Sequence, residues 1–234
     1  MTRKLMLIGL SALLFTAAAW HGGFSFARAE ASALAESSRQ EAIEKKSLGA
    51  RTWAIPTPVW VIGSYDKEGK PNVMTSAWVG TCNSNPPSIM TCLRPATYSH
   101  GNIMERKAFT VNIATESFAR QAVYFGRSSG RDVNKFEETG LTPVKSSLVD
   151  APYVKEFPLV IECRVRQTVE LGSHTMFIGE IIDIKADPSI LNEKGAPDVE
   201  KLKPIMYTPG SSKFYGIGDF VGDIFSLYEE KERE

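Results

Sequence analysis

PNVMTSAWVGTCNSNPPSIMTCLRPATYSHGNI, residues 71–103, is the stretch from which the rest of the chain can be read. Its pattern predicts a strand, a proline-braced turn, a second strand and the start of a helix. Val73–Cys82 carries β-branched and aromatic residues with small ones between, and Pro86-Pro87 stops the pairing because proline offers no N–H to a neighbouring strand. Ser88–Leu93 resumes as a strand, and Arg94-Pro95-Ala96-Thr97 ends it, the residue before a proline being confined to extended conformations. The short side chains of Thr75-Ser76-Ala77 leave the backbone open to close approach by a flat ligand. Arg94, Thr97 and Ser99, at a strand-to-helix junction, offer a guanidinium fork, hydroxyls and free helix N–H groups, which is what a phosphate requires.

Reading outward, Val59–Tyr65 is a strand behind Pro56 and Pro58, and Asp66–Lys70 is a hairpin turn in which Gly69 supplies the positive φ. A helix is expected over Ser99–Lys107, a strand over Ala108–Ile113, and a helix over Glu116–Phe125 with Thr115 as its N-cap. Gly126–Gly140 reads as a loop with a short helical piece, Asp132–Glu138. Leu159–Leu171 has the clearest period: Ile161, Cys163, Val165, Val169 and Leu171 alternate with Glu162, Arg164, Arg166, Thr168 and Glu170, predicting a half-buried antiparallel strand with the first set inward. Gly172-Ser173 turns it into a closing strand, Thr175–Ile184. Asp187–Asp198 reads as a polar excursion outside the barrel, and the glycine-rich Tyr207–Asp219 as a tail packed back on the barrel or on a second subunit. Many strands, few helices and no βαβ rhythm predict a mainly β, antiparallel barrel.

Composition sets outer limits. With 27 basic and 27 acidic residues among 234, the chain gives no reason to expect nucleic acid or an anionic membrane surface as partner. The absence of a GxGxxG run excludes a nicotinamide-binding Rossmann domain, and Ser128-Ser129-Gly130 does not fit a P-loop. Residues 1–29 read as a signal peptide: basic Arg3-Lys4, apolar Leu5–Trp20 and a small-x-small site at Ala27-Arg28-Ala29. The expected location is therefore exported and periplasmic, or cytoplasmic if the true start lies further along. An uncleaved segment would instead tie the chain to a membrane. Residues 30–46 read as a lead-in linker or helix and 47–234 as the folded domain.

The runs GKPNVMTSAWVG, NPPSIMTCLRPATYSHGNI, FTVNI, GRSSGRDVNKFEETGL and VELGSHTMFIGE, in this order, resemble the flavin reductase-like family of FMN-binding split barrels that includes the flavoredoxins. The resemblance implies a split β-barrel with a Greek-key connection, a homodimer with flavin near its interface, and FMN as cofactor, with FAD as the alternative. It places Met74, Thr75, Ser76, Ala77 and Trp78 along the isoalloxazine ring, partly through backbone groups, and the phosphate near Arg94, Thr97 and Tyr98. Trp78 has a second reading as a barrel-core aromatic, and Arg94 as a surface ion pair. Asn112 could bond the ribityl chain or ring, or start a turn. Ser129, Gly130 and Lys135 match a family loop that reaches the flavin, or form an exposed loop with a solvated lysine. His174 matches a histidine beside the flavin and is the candidate catalytic residue; its other reading is a turn histidine bonded to backbone.

The expected function is a flavin-dependent oxidoreductase that passes electrons to or from a small molecule or a redox partner. NAD(P)H or a redox protein is the expected source. A pure electron carrier without NAD(P)H activity, or a noncatalytic dimeric binding module, is the alternative. Of the three histidines, His100 reads as part of a helix start. The three cysteines lack metal-type spacing. Cys82 and Cys92 lie equally far from Pro87, so a simple hairpin would set them opposite one another, as a disulfide or as two small buried residues.

Overall fold

The computed structural model describes residues 45–231, with side chains to 228; the signal segment and most of the lead-in fall outside this range. Residues from Thr52 onward form one unit, and residues 45–51 belong to a separate one without regular structure. The strands, in chain order, are β1 Thr57–Pro58, β2 Trp60–Tyr65, β3 Pro71–Ser76, β4 Val79–Ser84, β5 Pro87–Leu93, β6 Ala108–Ile113, β7 Pro143–Lys145, β8 Pro152–Val154, β9 Leu159–Glu170, β10 Thr175–Ala186, β11 Met206–Thr208 and β12 Lys213–Tyr215. The helices are α1 Tyr98–Arg106, α2 Ala119–Arg127, α3 Lys135–Thr139, α4 Val199–Leu202 and α5 Ile224–Lys231.

A seven-stranded antiparallel sheet runs in the order β3-β2-β6-β9-β10-β5-β4. The mainly β barrel expected from the sequence is therefore present, with one correction at its centre. Val73–Cys82 is two strands, broken by a bend at Ala77-Trp78. β3 and β4 lie at opposite edges of the sheet, so this bend carries the chain from one edge to the other and closes the sheet on itself. Two bonds fix the closure: the Cys92 N–H donates to the Trp78 carbonyl at 2.8 Å, and the Thr91 hydroxyl to Ser76 Oγ at 3.4 Å.

Two apolar clusters fill the fold. Ile62, Ile89, Leu93, Phe109, Val111 and Phe177 form the heart of one, and Val59, Val61, Val73, Phe125, Phe136 and Phe157 of the other. Val61 and Ile62 are both fully buried although they face opposite sides of β2, because helices α2 and α3 cover the second face. Gly63 sits where a Cβ would fall 2.2 Å from the Pro152 carbonyl oxygen, so only glycine allows that approach.

Several local expectations change. The helix expected over Glu116–Phe125 begins as a 3-10 turn, Glu116–Phe118, before α2, and Thr115 makes no side-chain cap bond. The short helix after the glycine loop is α3, starting later than Asp132 and capped by Asn134, whose side chain accepts from the Phe136 N–H. On β9, Glu162 is fully buried instead of facing solvent, because β10 brings Lys185 Nζ to 2.6 Å from its carboxylate. The Asp187–Asp198 excursion is anchored rather than free: Ile190, with Leu202 of α4, enters the first core cluster. The tail pairs β11 with β1 and β12, and Tyr207 and Phe214 pack on the second cluster.

Candidate functional site

The closing bend, the end of β5, the start of α1, the loop 128–134 and the start of β10 supply the candidate site. Cys92 bonds the bend at Trp78, and two residues further on Arg94 opens the turn to α1. The Thr97 N–H and hydroxyl both donate to the Arg94 carbonyl at 2.9 Å, which shapes that turn. Thr97 is the N-cap of α1 but makes no side-chain cap bond, and the first turn holds no acidic residue. The helix therefore opens with N–H groups that no capping side chain satisfies, beside an exposed arginine.

Loop 128–134 closes down on this corner. Arg131 donates to the Ala96 carbonyl at 2.9 Å, and its guanidinium lies 5.3 Å from the centre of the Tyr98 ring. Arg131 is the residue that the sequence reading passed over. It stands next to Gly130 in the quoted loop, and a basic residue there was the available signal. Gly130 is buried, and a Cβ would fall 2.1 Å from Asn72 Oδ1 and 2.7 Å from the Tyr98 ring. Its lack of a side chain is what lets the loop reach α1. Ser129 Oγ accepts from the Arg131 N–H at 3.2 Å and so shapes the loop.

Tyr98 points elsewhere than expected. Its hydroxyl donates to Asp66 Oδ2 at 2.7 Å, and burial together with that bond pushes it up to about 12. Burial raises the Asp66 carboxyl, but bonds from Tyr98, Lys70 and Glu68 outweigh it and hold the group below its ordinary value. The Tyr98 phenol is thus committed to the β2–β3 turn, and its ring and backbone are what face the arginine side.

Two further expected contacts lie inside the fold. Asn112 is fully buried: Nδ2 donates to the Val61 carbonyl at 2.9 Å and Oδ1 accepts from the Val154 N–H at 2.7 Å. It braces β6 against β2 and β8, with its amide engaged by backbone and by Thr110 Oγ1 at 3.3 Å. Lys135, 3% exposed, donates 2.8 Å bonds to the carbonyls of Val73 and Phe125, tying α3 to β3 and to the end of α2. Neither side chain reaches the α1 corner as a free group, because partners from distant segments claim both.

Along the expected ring edge, Met74 packs on the first core cluster, and the Thr75 hydroxyl donates to the Ala122 carbonyl at 2.6 Å. Ser76 is buried at the closure, and Ala77 is half-buried in the bend. The side chains here hold the strand, and what they leave toward a ligand is backbone and small surface. Trp78 is 48% exposed, which removes the barrel-core reading. Its ring centre lies 5.7 Å from that of His174, tilted 48°, and His174 Nδ1 lies 2.9 Å from Ser173 Oγ. The bend and the start of β10 thus meet at an open aromatic pair.

Behind His174 runs a polar chain that sequence reading did not find. Buried Thr175 donates its single hydroxyl proton to the Glu170 carboxylate, with Oε2 at 2.9 Å, so its lone pair accepts from His100 Nε2 at 2.8 Å. This fixes His100 as the Nε2–H tautomer when neutral. Burial lowers the His100 pKa, and Glu170 opposes that shift without overcoming it. His100 therefore joins α1 to β10 and to Phe177, whose ring centre is 5.3 Å away edge-on.

An arginine-flanked helix N-terminus next to a half-open aromatic slot fits a flat cofactor with a phosphate. Comparison with known proteins agrees. Residues 51–214 match the model of the flavin reductase like domain, and the chain belongs to that family. The solved flavoredoxin of Desulfovibrio vulgaris (Miyazaki F) is 48% identical, with a TM-score of 0.76 over 79% of this chain and 100% of that one. An uncharacterized protein of Archaeoglobus fulgidus is 35% identical over 62% of this chain and 80% of its own length. A flavin reductase (NADH) of Kitasatospora aureofaciens is 26% identical over 66% of this chain and 73% of its own. The protein is a flavin-binding, flavin-dependent oxidoreductase of the split-barrel type.

Proposed function

We propose that the flavin is FMN and that the protein is an electron carrier, taking electrons from a redox protein and handing them on. The observation that carries FMN is a phosphate-type corner: the unsatisfied start of α1 between Arg94 and Arg131, with no acid in the first turn. The backbone of Met74–Trp78 and the exposed face of Trp78 would hold the ring, and Gly130 would let the loop close over the phosphate end. Bound there, the flavin supplies the two-electron chemistry, and the chain's task is to orient it and shield it from water. His174 stands at the open edge with Trp78, where a donor arrives.

The likeness to a flavoredoxin supports the carrier reading. So does the signal-like start, which we read as directing export to the periplasm, where nicotinamides are not supplied. The NADH-dependent relative supports a second reading, a reductase fed by NAD(P)H. Anaerobic titration separates them: electrons from NADH should enter the flavin only slowly, and bleaching at catalytic rates would overturn the carrier reading. We further read the protein as a homodimer.

The site itself is tested by reconstitution. The flavin-free protein should bind FMN more tightly than FAD, and Arg94→Ala should weaken FMN by about 1–3 kcal/mol in a fluorescence-quenching titration. Unchanged affinity would remove Arg94 from the site. A chain that binds neither flavin would be the noncatalytic module instead.

A further inference from the structure

The Glu170–Thr175–His100 chain takes no direct part in the proposed flavin site, yet it ends inside the first turn of α1. His100 is the third residue of that helix, after Tyr98 and Ser99, so its own N–H belongs to the set at the helix start that has no partner within the helix. Helix side chains lean toward the N-terminus, and this ring is held there from another element: Nε2 lies 2.8 Å from Thr175 Oγ1 on β10, and Phe177 meets the ring edge-on. Among the described residues no partner claims Nδ1, and His100 is only half-buried, so Nδ1 is the atom that takes up a proton.

The surroundings are short of negative charge. The first turn of α1 holds no acid, and Glu105 and Arg106 lie at the far end of the helix. β10 presents the uncharged Thr175 and Phe177, and His174 turns its ring to Trp78. Arg94 precedes the helix, loop 128–134 brings Arg131 over Tyr98, and the Tyr98 phenol is bonded to Asp66. Glu170 on β9 is the charged group that favours a proton on the ring, and it is exposed and stands behind Thr175. A positive charge in a first helical turn also opposes the helix dipole, and an anion bound at the helix start relieves that penalty.

We propose that His100 is a positioning residue for the flavin phosphate: held by Thr175, it adds a positive charge to the start of α1 when it takes up a proton, and proton and phosphate each tighten the other's binding. This rests on the FMN reading of the site. Burial holds His100 of the flavin-free protein below its ordinary value, and a bound phosphate raises it. The gain in FMN affinity is therefore complete below the flavin-free value and is lost as pH rises through the higher, flavin-bound one. The phosphate of FMN has its own second titration at about pH 6, so the profile of wild type mixes two protons, and only the difference from a variant isolates His100.

The test compares FMN and riboflavin affinities of wild type and His100→Gln between about pH 5 and 9, a range that spans histidine titration. Glutamine keeps a side-chain N–H for Thr175 but does not titrate. At the alkaline end the two proteins should bind FMN alike; at the acid end wild type should bind it about 3- to 10-fold more tightly. Riboflavin, which has no phosphate, should not distinguish them at any pH. A second measurement needs no variant: in nitrogen-15 NMR of wild type, the imidazole signal assigned through the His100 backbone should titrate at higher pH with FMN bound than without, and riboflavin should not move it. An FMN difference that is constant across pH, a His100 titration indifferent to FMN, or an equal rise with riboflavin would each overturn the proposal while leaving the flavin site in place. A chain that binds no FMN, or binds it no more tightly than riboflavin, fails the site reading and takes the proposal with it.

Discussion

Lys135 shows what burial does to a flexible cation. Removed from water, it titrates at about 8 instead of its ordinary 10.5, and a neutral amine still has two hydrogens for the carbonyls of Val73 and Phe125. Between about 8 and 10.5 the unfolded chain holds the proton and the folded one does not, so stability rises with pH across that window. Thermal melts should show this rise in the wild type, and Lys135→Met should lose it. Equal slopes in the two proteins would place the lysine in solvent. Gly130 sets a second test. A methyl there meets Asn72 and Tyr98, so Gly130→Ala should cost about 1–3 kcal/mol in denaturant unfolding, by the strain of overpacking, and should loosen FMN through the displaced Arg131. An alanine variant with wild-type stability and affinity would mean that the loop can move aside freely.

At the scale of elements, the β4–β5 hairpin departs most from its sequence reading. Pairing runs Ser84↔Pro87, Asn83↔Ser88 and then Thr81↔Ile89, so Cys82 occupies a bulge and the turn centres before Pro87. Cys92 bonds the bend at Trp78 instead of facing Cys82, and the three cysteines are free. Counting residues outward from a proline assumes a regular ladder, and one extra residue in one strand defeats that assumption. Alkylation under native conditions should label exposed Cys82 first. Cys163, buried and with its thiol pushed up by burial, should react only on unfolding. Intact mass without reductant should show no Cys82–Cys92 bridge; a loss of two hydrogens would contradict this pairing.

For the whole molecule, the sequence by itself determined the class. Period-two alternation, turn glycines and prolines at strand ends specify a mainly β barrel, and the spaced runs from GKPNVMTSAWVG to VELGSHTMFIGE specify the flavin reductase-like family. The arginine and helix start of RPATYSH were legible too, because Arg94 and the start of α1 lie within a few residues of each other; Arg131, which bonds the Ala96 carbonyl from 35 residues away, was not. Only the tertiary structure decided which polar side chains remain free for a ligand. Lys135 meets a carbonyl 62 residues away, Asn112 one 51 away, and Tyr98 an acid 32 away. Alternation assigns two faces to a strand but cannot say that helices will cover the second one, as they do for β2, or that a partly exposed lysine on β10 will pair with a Glu162 that is itself buried. Nor could it say that the bend at Ala77-Trp78 joins the two edges of one sheet, which is what leaves Trp78 open beside His174. A side chain's role follows from its partners, and partners brought from far along the chain are set by closure of the barrel, which no local run of residues encodes.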